Sequence, residues 1–332
     1  MGTITAEAQD IRTKKDANLF NHLDLNLTAG TTGVGFDLST PIGDYVRLRS
    51  GLSVMPHFNL PTTFTIGVGD DKSKSKSKLA NLSNRMSTLT GKEIDSKVDV
   101  TRQMIFWNWD VLVDIYPFKH NKHWRLTTGF YLGPSRVAEA YNDTGAMPTL
   151  MAVNIYNRAY EKLHGKTPID LMEIKLIDLG EGFDDSFLYN IDNLLLLQEK
   201  FDRNGRMGVR MGTYKRDVLD EEGNVVHQKG ETYMMEPGDD CMVRANMYVN
   251  SFKPYIGFGY GGRLSKTDDR YHVAVDCGLM MWGGTPRLET HDGTDLIRDV
   301  ENVPGKIGSN VRMIEKLKVF PVLSFTLTRK LF

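Results

Sequence analysis

Ile105-Phe106-Trp107-Asn108-Trp109-Asp110-Val111-Leu112-Val113-Asp114-Ile115 is the stretch that decides the fold. One parity carries Ile105, Trp107, Trp109, Val111, Val113 and Ile115; the other carries Asn108, Asp110, Leu112 and Asp114. Side chains alternate faces along a strand, so one face is an apolar band and the other is charged. The band has the length, about 9–11 residues, that takes a tilted strand across a bilayer. On a soluble sheet two outward tryptophans would need a covering layer; around a membrane barrel, lipid supplies it.

The same alternation recurs outward from this segment. Val46, Leu48, Leu52 and Val54 oppose Arg47, Arg49 and Ser53. Val34, Phe36 and Leu38 oppose Asp37, and Trp124, Leu126, Phe130 and Leu132 oppose Arg125 and Thr127. Ile256, Phe258 and Tyr260 alternate with glycines; Val273, Val275, Leu279 and Met281 oppose His272 and Asp276; Leu323, Phe325 and Leu327 oppose Ser324, Thr326 and Thr328. A weaker run holds Leu23, Leu25 and Leu27. Eight strands are predicted, roughly over 22–30, 32–40, 45–57, 97–117, 123–141, 245–264, 271–288 and 316–332. The expected fold is all-β: an antiparallel transmembrane β-barrel of about eight strands, with long extracellular loops and a partly helical insertion.

Composition agrees by what it excludes. The 332 residues carry a formal net charge of -1, which points to no nucleic-acid partner. Mean hydropathy is -0.34, and no run approaches the roughly 18 apolar residues of a membrane helix. Barrel strands average out as polar, so these values leave a barrel open.

Connections divide by length. Residues 41–44, 119–122 and 265–269 are short and polar, as periplasmic turns should be; 58–96, 142–244 and 289–315 are long and would be extracellular. The first outer turn, near Gly30, is very short. Residues 1–20 read as an N-terminal periplasmic segment and 21–332 as the barrel, with 142–244 as the extracellular insertion. Within it, Ser186 to Phe201 and Pro148 to Gly165 show helical spacing, the second with Met151, Ile155 and Tyr160 as buried positions. Residues 206–235 read as a β-hairpin around Glu221-Glu222-Gly223-Asn224, which either adds two strands, making ten, or stands in a cap above the membrane. Tyr45, Tyr116, Phe118, Trp124, Tyr271 and Phe332 fall near the periplasmic rim as an aromatic girdle. Pairing roughly symmetric about 267–268 would set Cys277 facing the region of Phe258, far from Cys241, so free thiols are expected over a disulfide.

Three stretches together resemble small outer-membrane β-barrel proteins of Gram-negative bacteria, particularly the type abundant in the Bacteroides group. They are Thr31-Thr32-Gly33-Val34-Gly35-Phe36-Asp37 running into Tyr45-Val46-Arg47-Leu48-Arg49-Ser50-Gly51; Val113-Asp114-Ile115-Tyr116-Pro117-Phe118 with Trp124-Arg125-Leu126-Thr127-Thr128-Gly129; and Pro254-Tyr255-Ile256-Gly257-Phe258-Gly259-Tyr260-Gly261 with Val275-Asp276-Cys277-Gly278-Leu279 and the closing strand to Phe332. The resemblance implies export, removal of a signal peptide from this chain, insertion in the cell outer membrane and contact with outer-membrane lipid and lipopolysaccharide. Such proteins end in an aromatic residue on the outward parity. Phe332 fits in type, but Leu323, Phe325 and Leu327 put Leu331 outward, so a bulge near Arg329-Lys330 is needed to turn Phe332 out.

Chemistry is sparse. Asp37, Arg47, Arg49, Asp110, Asp114 and Asp276 fall on the inward parity and predict a charge network filling a narrow lumen; an ion path is the competing reading. His57 near Ser53 is the one arrangement that fits an acyl hydrolase, and no compact Ser/His/Asp motif supports it. Asp202-Arg203-Asn204-Gly205 and Asp292-Gly293-Thr294-Asp295 are calcium-loop fragments without full ligand spacing, and read as turns. The glycines of Gly257-Phe258-Gly259-Tyr260-Gly261 lie in a strand rather than before a helix, so they admit bulky neighbours instead of a dinucleotide. Lys72–Lys78 alternates Lys with Ser and reads as a solvated loop tip, with lipopolysaccharide phosphate as the alternative ligand. No cofactor or metal is expected, nor an enzyme. The expected role is structural, or binding of an envelope or surface protein through 142–244; a small-solute channel and a soluble barrel holding an apolar ligand are the alternatives.

Overall fold

The alternating segments become eight barrel strands: β1 (Asp24–Gly30), β2 (Gly33–Pro41), β3 (Val46–Val54), β4 (Trp107–Ile115), β5 (Trp124–Leu132), β6 (Phe252–Arg263), β7 (Tyr271–Met281) and β8 (Val319–Lys330). The computed structural model describes residues 22–331 apart from 58, 66, 69–96, 119–120, 168–190, 221 and 266–268. Each strand pairs antiparallel with its neighbours in chain order, and β8 returns to β1 from Asp24↔Lys330 to Gly30↔Ser324, closing the barrel. The N-terminal segment 1–20, the Lys72–Lys78 run, the Phe187-Leu188 start of the second predicted helix and Phe332 lie outside the described residues.

The outer wall is apolar. Phe36, Leu52, Trp109, Leu126, Phe258, Val275, Phe325 and Leu327 are all exposed, and they form part of one continuous belt. A water-soluble monomer rarely exposes so large an apolar surface, whereas lipid requires it, and the closed ladder leaves no strand edge to be desolvated unpaired. Even Trp109 Nε1 is satisfied there, donating to Ser50 Oγ at 3.0 Å. Among the described residues no helix is long and apolar enough to cross a membrane.

Five strands run on past one rim. The segments Leu60–Thr65, Lys97–Met104, Arg136–Asn142, Arg244–Tyr248 and Arg287–Thr290 continue β3, β4, β5, β6 and β7 and pair into a five-stranded sheet. The long strands predicted at 97–117, 123–141, 245–264 and 271–288 are therefore each broken at the rim. Above it lies a cap with its own core. Helix α1 (Met147–Leu163) starts with Pro148 in its first turn, where a missing N–H costs nothing. It buries Leu150, Val153, Tyr156, Ala159 and Leu163. Met151, predicted buried, is exposed, and Leu150 is buried in its place. Helix α2 (Ile191–Asn204) ends at Gly205, whose φ of +76° is the left-handed stop the sequence offers.

The predicted hairpin belongs to the cap. Met207–Tyr214 pairs with Thr232–Met235, Val300–Glu301 and Gly67–Val68, and Val218–Leu219 pairs with Val225–His227. The barrel thus closes at eight strands rather than ten. Helix α3 (Gly305–Lys316) joins the two bodies: Ile307 and Val311 enter the cap core, and Ile314 and Leu317 pack on the aromatic group at the barrel mouth. The bulge expected near Arg329-Lys330 is absent. Arg329 pairs with Leu25 and Lys330 with Asp24 in unbroken register, and Leu331 is exposed.

Candidate functional site: the filled lumen

Strand pairing sets the inward residues in rows. Asp37 and Asp110 flank Gly51, whose missing side chain makes room: a Cβ there would come within 2.3 Å of Asp37 Cβ. One step toward the short-turn end lies Arg49, and one further lies the Arg47–Asp114 pair of positions. Buried charges need counter-charges and hydrogen bonds, and most are found. Arg49 Nε lies 3.0 Å from Asp114 Oδ2, an ion pair by distance whose N–H is not aimed at the oxygen. Thr127 donates to Asp114 Oδ1 at 2.7 Å. Arg125 forks onto Asp276, with Nε 2.9 Å from Oδ1, the two-point geometry that suits a guanidinium. Arg47 reaches Asp24 at 3.4 Å.

Among the described residues Asp37 has no cation contact. Asn26 Nδ2 donates to its Oδ1 at 2.6 Å and Thr28 to its Oδ2 at 3.3 Å. Thr328 Oγ1 in turn donates to Asn26 Oδ1 at 2.6 Å, closing the network across the β1–β8 seam. Asp110 and Lys253 stand outside these contacts. Asp110 has neither an ion pair nor a side-chain hydrogen bond among the described residues. Lys253, on β6, donates to Asn108 Oδ1 at 3.2 Å and meets no carboxylate among the described residues.

Toward the cap the lumen fills with rings. Tyr131 and Tyr255 meet edge to face at 5.4 Å, Trp282 stacks on Phe320 at 5.1 Å, and Phe106 packs on Phe320 at 6.4 Å. Leu112, Met280 and Val322 belong to the same cluster. Between rings and ion pairs remains a cavity of about 30 Å³ touching Asp37, Arg49, Asp110 and Tyr131, room for roughly one water. At the short-turn end the barrel opens into a vestibule of about 690 Å³ lined by Arg47, Tyr116, Arg125, Arg263 and His272.

Predicted site residues distribute as follows. Asp37, Arg49, Asp110, Asp114 and Asp276 are buried inward, and Arg47 is half-buried beside them. On the outer band Trp107 and Trp109 are exposed and Val111, Val113 and Ile115 half-exposed; Ile105 lies in the break above β4. At the rim Tyr45, Phe118 and Trp124 are exposed and Tyr271 half-buried. Tyr116 does not join this outer ring. It shares parity with Asp114 and lies under the Arg47 guanidinium, 6.0 Å from ring centre to Cζ, in the vestibule. Sequence reasoning left out Asp24, Asn26, Arg125, Lys253 and the rings; Arg125 was legible, since it opposes the outward Trp124 and Leu126.

The other candidates do not assemble. His57 is exposed, and the buried Ser53 hydroxyl has no hydrogen-bond partner. Asp202 pairs with His164 Nδ1 at 2.6 Å. Asp292 accepts from Thr290 Oγ1 at 2.6 Å, Tyr233 Oη at 2.7 Å and the Thr294 N–H at 3.1 Å. Burial pushes its carboxyl up, and these donors outweigh it and hold it below the ordinary range. Among the described residues no group of three or more His, Cys, Asp or Glu is placed to hold a metal. Both cysteines are free; Cys277 faces outward and pairs with Phe258.

A closed ladder with an apolar outside and a charged, filled inside defines the transmembrane β-barrel class. The chain is similar to solved structures from Acinetobacter baumannii: CarO2, at 14% identity and a TM-score of 0.35 over 93% of this chain and 98% of that one, and CarO, at 13% and 0.34 over 92% and 96%. Neither source is of the Bacteroides group, and at such values the likeness adds nothing on the role of lumen or cap. No protein-family model and no curated protein matches the sequence.

Proposed function

We propose that this protein is a Gram-negative outer-membrane barrel with a sealed lumen, and that its cap does the work, as a structural element or as the contact for an envelope or surface protein. The short turns then face the periplasm and the cap faces outward, with Tyr45, Phe118, Trp124 and Tyr271 at the inner interface. The observation that carries this reading is the filling of the lumen. The cavity between the rings above and the ion pairs below is about 30 Å³, too small to serve as a solute path. The cap, by contrast, exposes Leu219, Val225 and Val226 on the hairpin Val218–Leu219/Val225–His227, where a partner's apolar surface would gain most.

Planar-bilayer recording of the full chain tests the sealing. Silence is expected, and discrete steps would favour the small-solute channel instead. Solubility tests the membrane placement: a monodisperse chain without detergent would favour the soluble barrel with an apolar ligand.

A further inference from the structure

We propose that the outer wall holds an anionic glycerophospholipid at the short-turn rim, one acyl chain lying in a groove across β6, β7, β8 and β1 and the phosphate on Arg329. This rests on the membrane reading above, which places that rim at the inner leaflet.

The groove follows from side-chain size. Two outward rows cross these strands in register, one from Tyr260 through Phe325 to Ala29, the next from Gly262 through Val273 and Leu327. Small residues at Ala29 and Gly262 lower the wall beside tall rings. The result is an apolar trough of about 790 Å³. His123 closes one end: a Cβ on Gly262 would come 2.8 Å from its Nδ1, which sits 2.7 Å from Gly261 O.

Charge decides the occupant. The next outward row toward the rim is Tyr271, Arg329 and Leu25. Arg329 is exposed on the same face as Leu327, with no ion pair or hydrogen bond among the described residues. Its neighbour Lys330 is held by Asp269 at 2.5 Å. A guanidinium on the lipid face is costly unless paired, and its planar fork matches phosphate. A phosphate at the rim with its chain running up the trough satisfies both the cation and the groove. The competing outcome is an arginine that snorkels to water and prefers no lipid.

The test uses the full chain in phosphatidylcholine nanodiscs doped with phosphatidylglycerol, released into detergent for native mass spectrometry. One phosphatidylglycerol should stay bound in preference to phosphatidylcholine. Arg329→Gln should lower its retention about tenfold, the loss of one charge-assisted contact. Ala29→Phe, which fills the trough, should lower it too, and Arg312→Gln, on α3 at the opposite end, should not. Arg329 has no side-chain partner among the described residues, so Arg329→Gln should keep the heat-dependent gel shift of a folded barrel. Equal retention by Arg329→Gln, or by phosphatidylcholine, overturns the proposal alone. Failure to enter nanodiscs, with monodisperse behaviour in plain buffer, overturns the membrane reading with it.

Discussion

Barrel and cap bury opposite things with the same face of the same strands. Along the segment 97–115 the even-numbered positions are the more buried ones, with Thr101 a buried exception and Arg102 and Met104 half-buried. Val98, Val100 and Phe106 are buried in the cap and mouth; Asn108, Asp110 and Asp114 are buried in the lumen. Above the rim water covers the outside, so the inside must be apolar. Below it lipid covers the outside, so the odd positions Trp107 and Trp109 take the apolar share and the inside is free to be polar. The solvent, not the strand, sets which face is greasy. The ring cluster of Tyr131, Tyr255, Phe106, Trp282 and Phe320 sits where the two regimes meet, and it packs the barrel mouth with apolar rings because it belongs to the cap's logic while standing in the barrel.

Single substitutions should separate the regimes. The largest effect is expected from Arg125→Ala, which strands a buried Asp276 carboxylate. Losing one partner of a buried pair costs about 3–5 kcal/mol, so the temperature at which the folded gel band disappears should drop steeply. An unchanged midpoint would mean the lumen pairs hold nothing. Leu150→Ala should cost about 2–5 kcal/mol by leaving a cavity, but in the cap alone. Protease should then cut the cap early while the barrel keeps its gel shift. Loss of both together would show that α3 couples them into one cooperative unit.

Gly259→Ala comes next. A Cβ there would lie 2.2 Å from Asp276 Oδ1 and 2.8 Å from Arg125 Nε, so the fork must open. Overpacking of this kind costs about 1–3 kcal/mol, less than removing the arginine, and the same thermal gel assay ranks the two. Were Gly259→Ala as damaging as Arg125→Ala, strand bending rather than the ion pair would be the purpose of the glycine.

Alternation made the barrel legible because lipid on one side and ion pairs on the other give each strand a strong period of two. It located the eight barrel strands, separated short from long connections and set Cys277 near Phe258, while leaving open whether the 206–235 hairpin adds two strands more. It was blind where the inward face turns apolar without changing parity, so the rim breaks at Ile105-Phe106 and Gly133–Ser135 and the ring cluster passed unseen. Lys253 was equally hidden, since one lysine beside Phe252 carries no pattern. Charged lumen positions such as Arg49 and Asp114 could be assigned a side from parity, but a neutral Asn26 facing Asp37 across β1–β2 carries no charge pattern to single it out, and its link to Thr328 needs the register of a seam that joins residues 302 positions apart. In α1 helical spacing predicts Met151 and Tyr160 on the buried face; Tyr160 packs at the edge of the cap core, whereas Leu150 rather than Met151 is buried.

The smallest expected effect lies in the cap and tests its polar interior. Tyr233 is buried, donates to Asp292 and contacts Thr290 Oγ1 at 2.9 Å. Burial, then the Asp292 charge, pushes the phenol well above its ordinary range, so it stays a donor at any working pH. Tyr233→Phe removes both contacts and should cost about 1–2 kcal/mol. The acid response carries the finer signature. Because the folded Asp292 carboxyl titrates below its ordinary value, its contribution is fully present above the unfolded value, about pH 4, and is lost as pH falls through the folded value. Cap protection from protease, measured from pH 7 down to pH 3, should therefore fall less steeply below pH 4 in Asp292→Asn than in the parent chain. Superimposable acid profiles would assign the low-pH loss to other carboxylates and leave Asp292 a turn residue only.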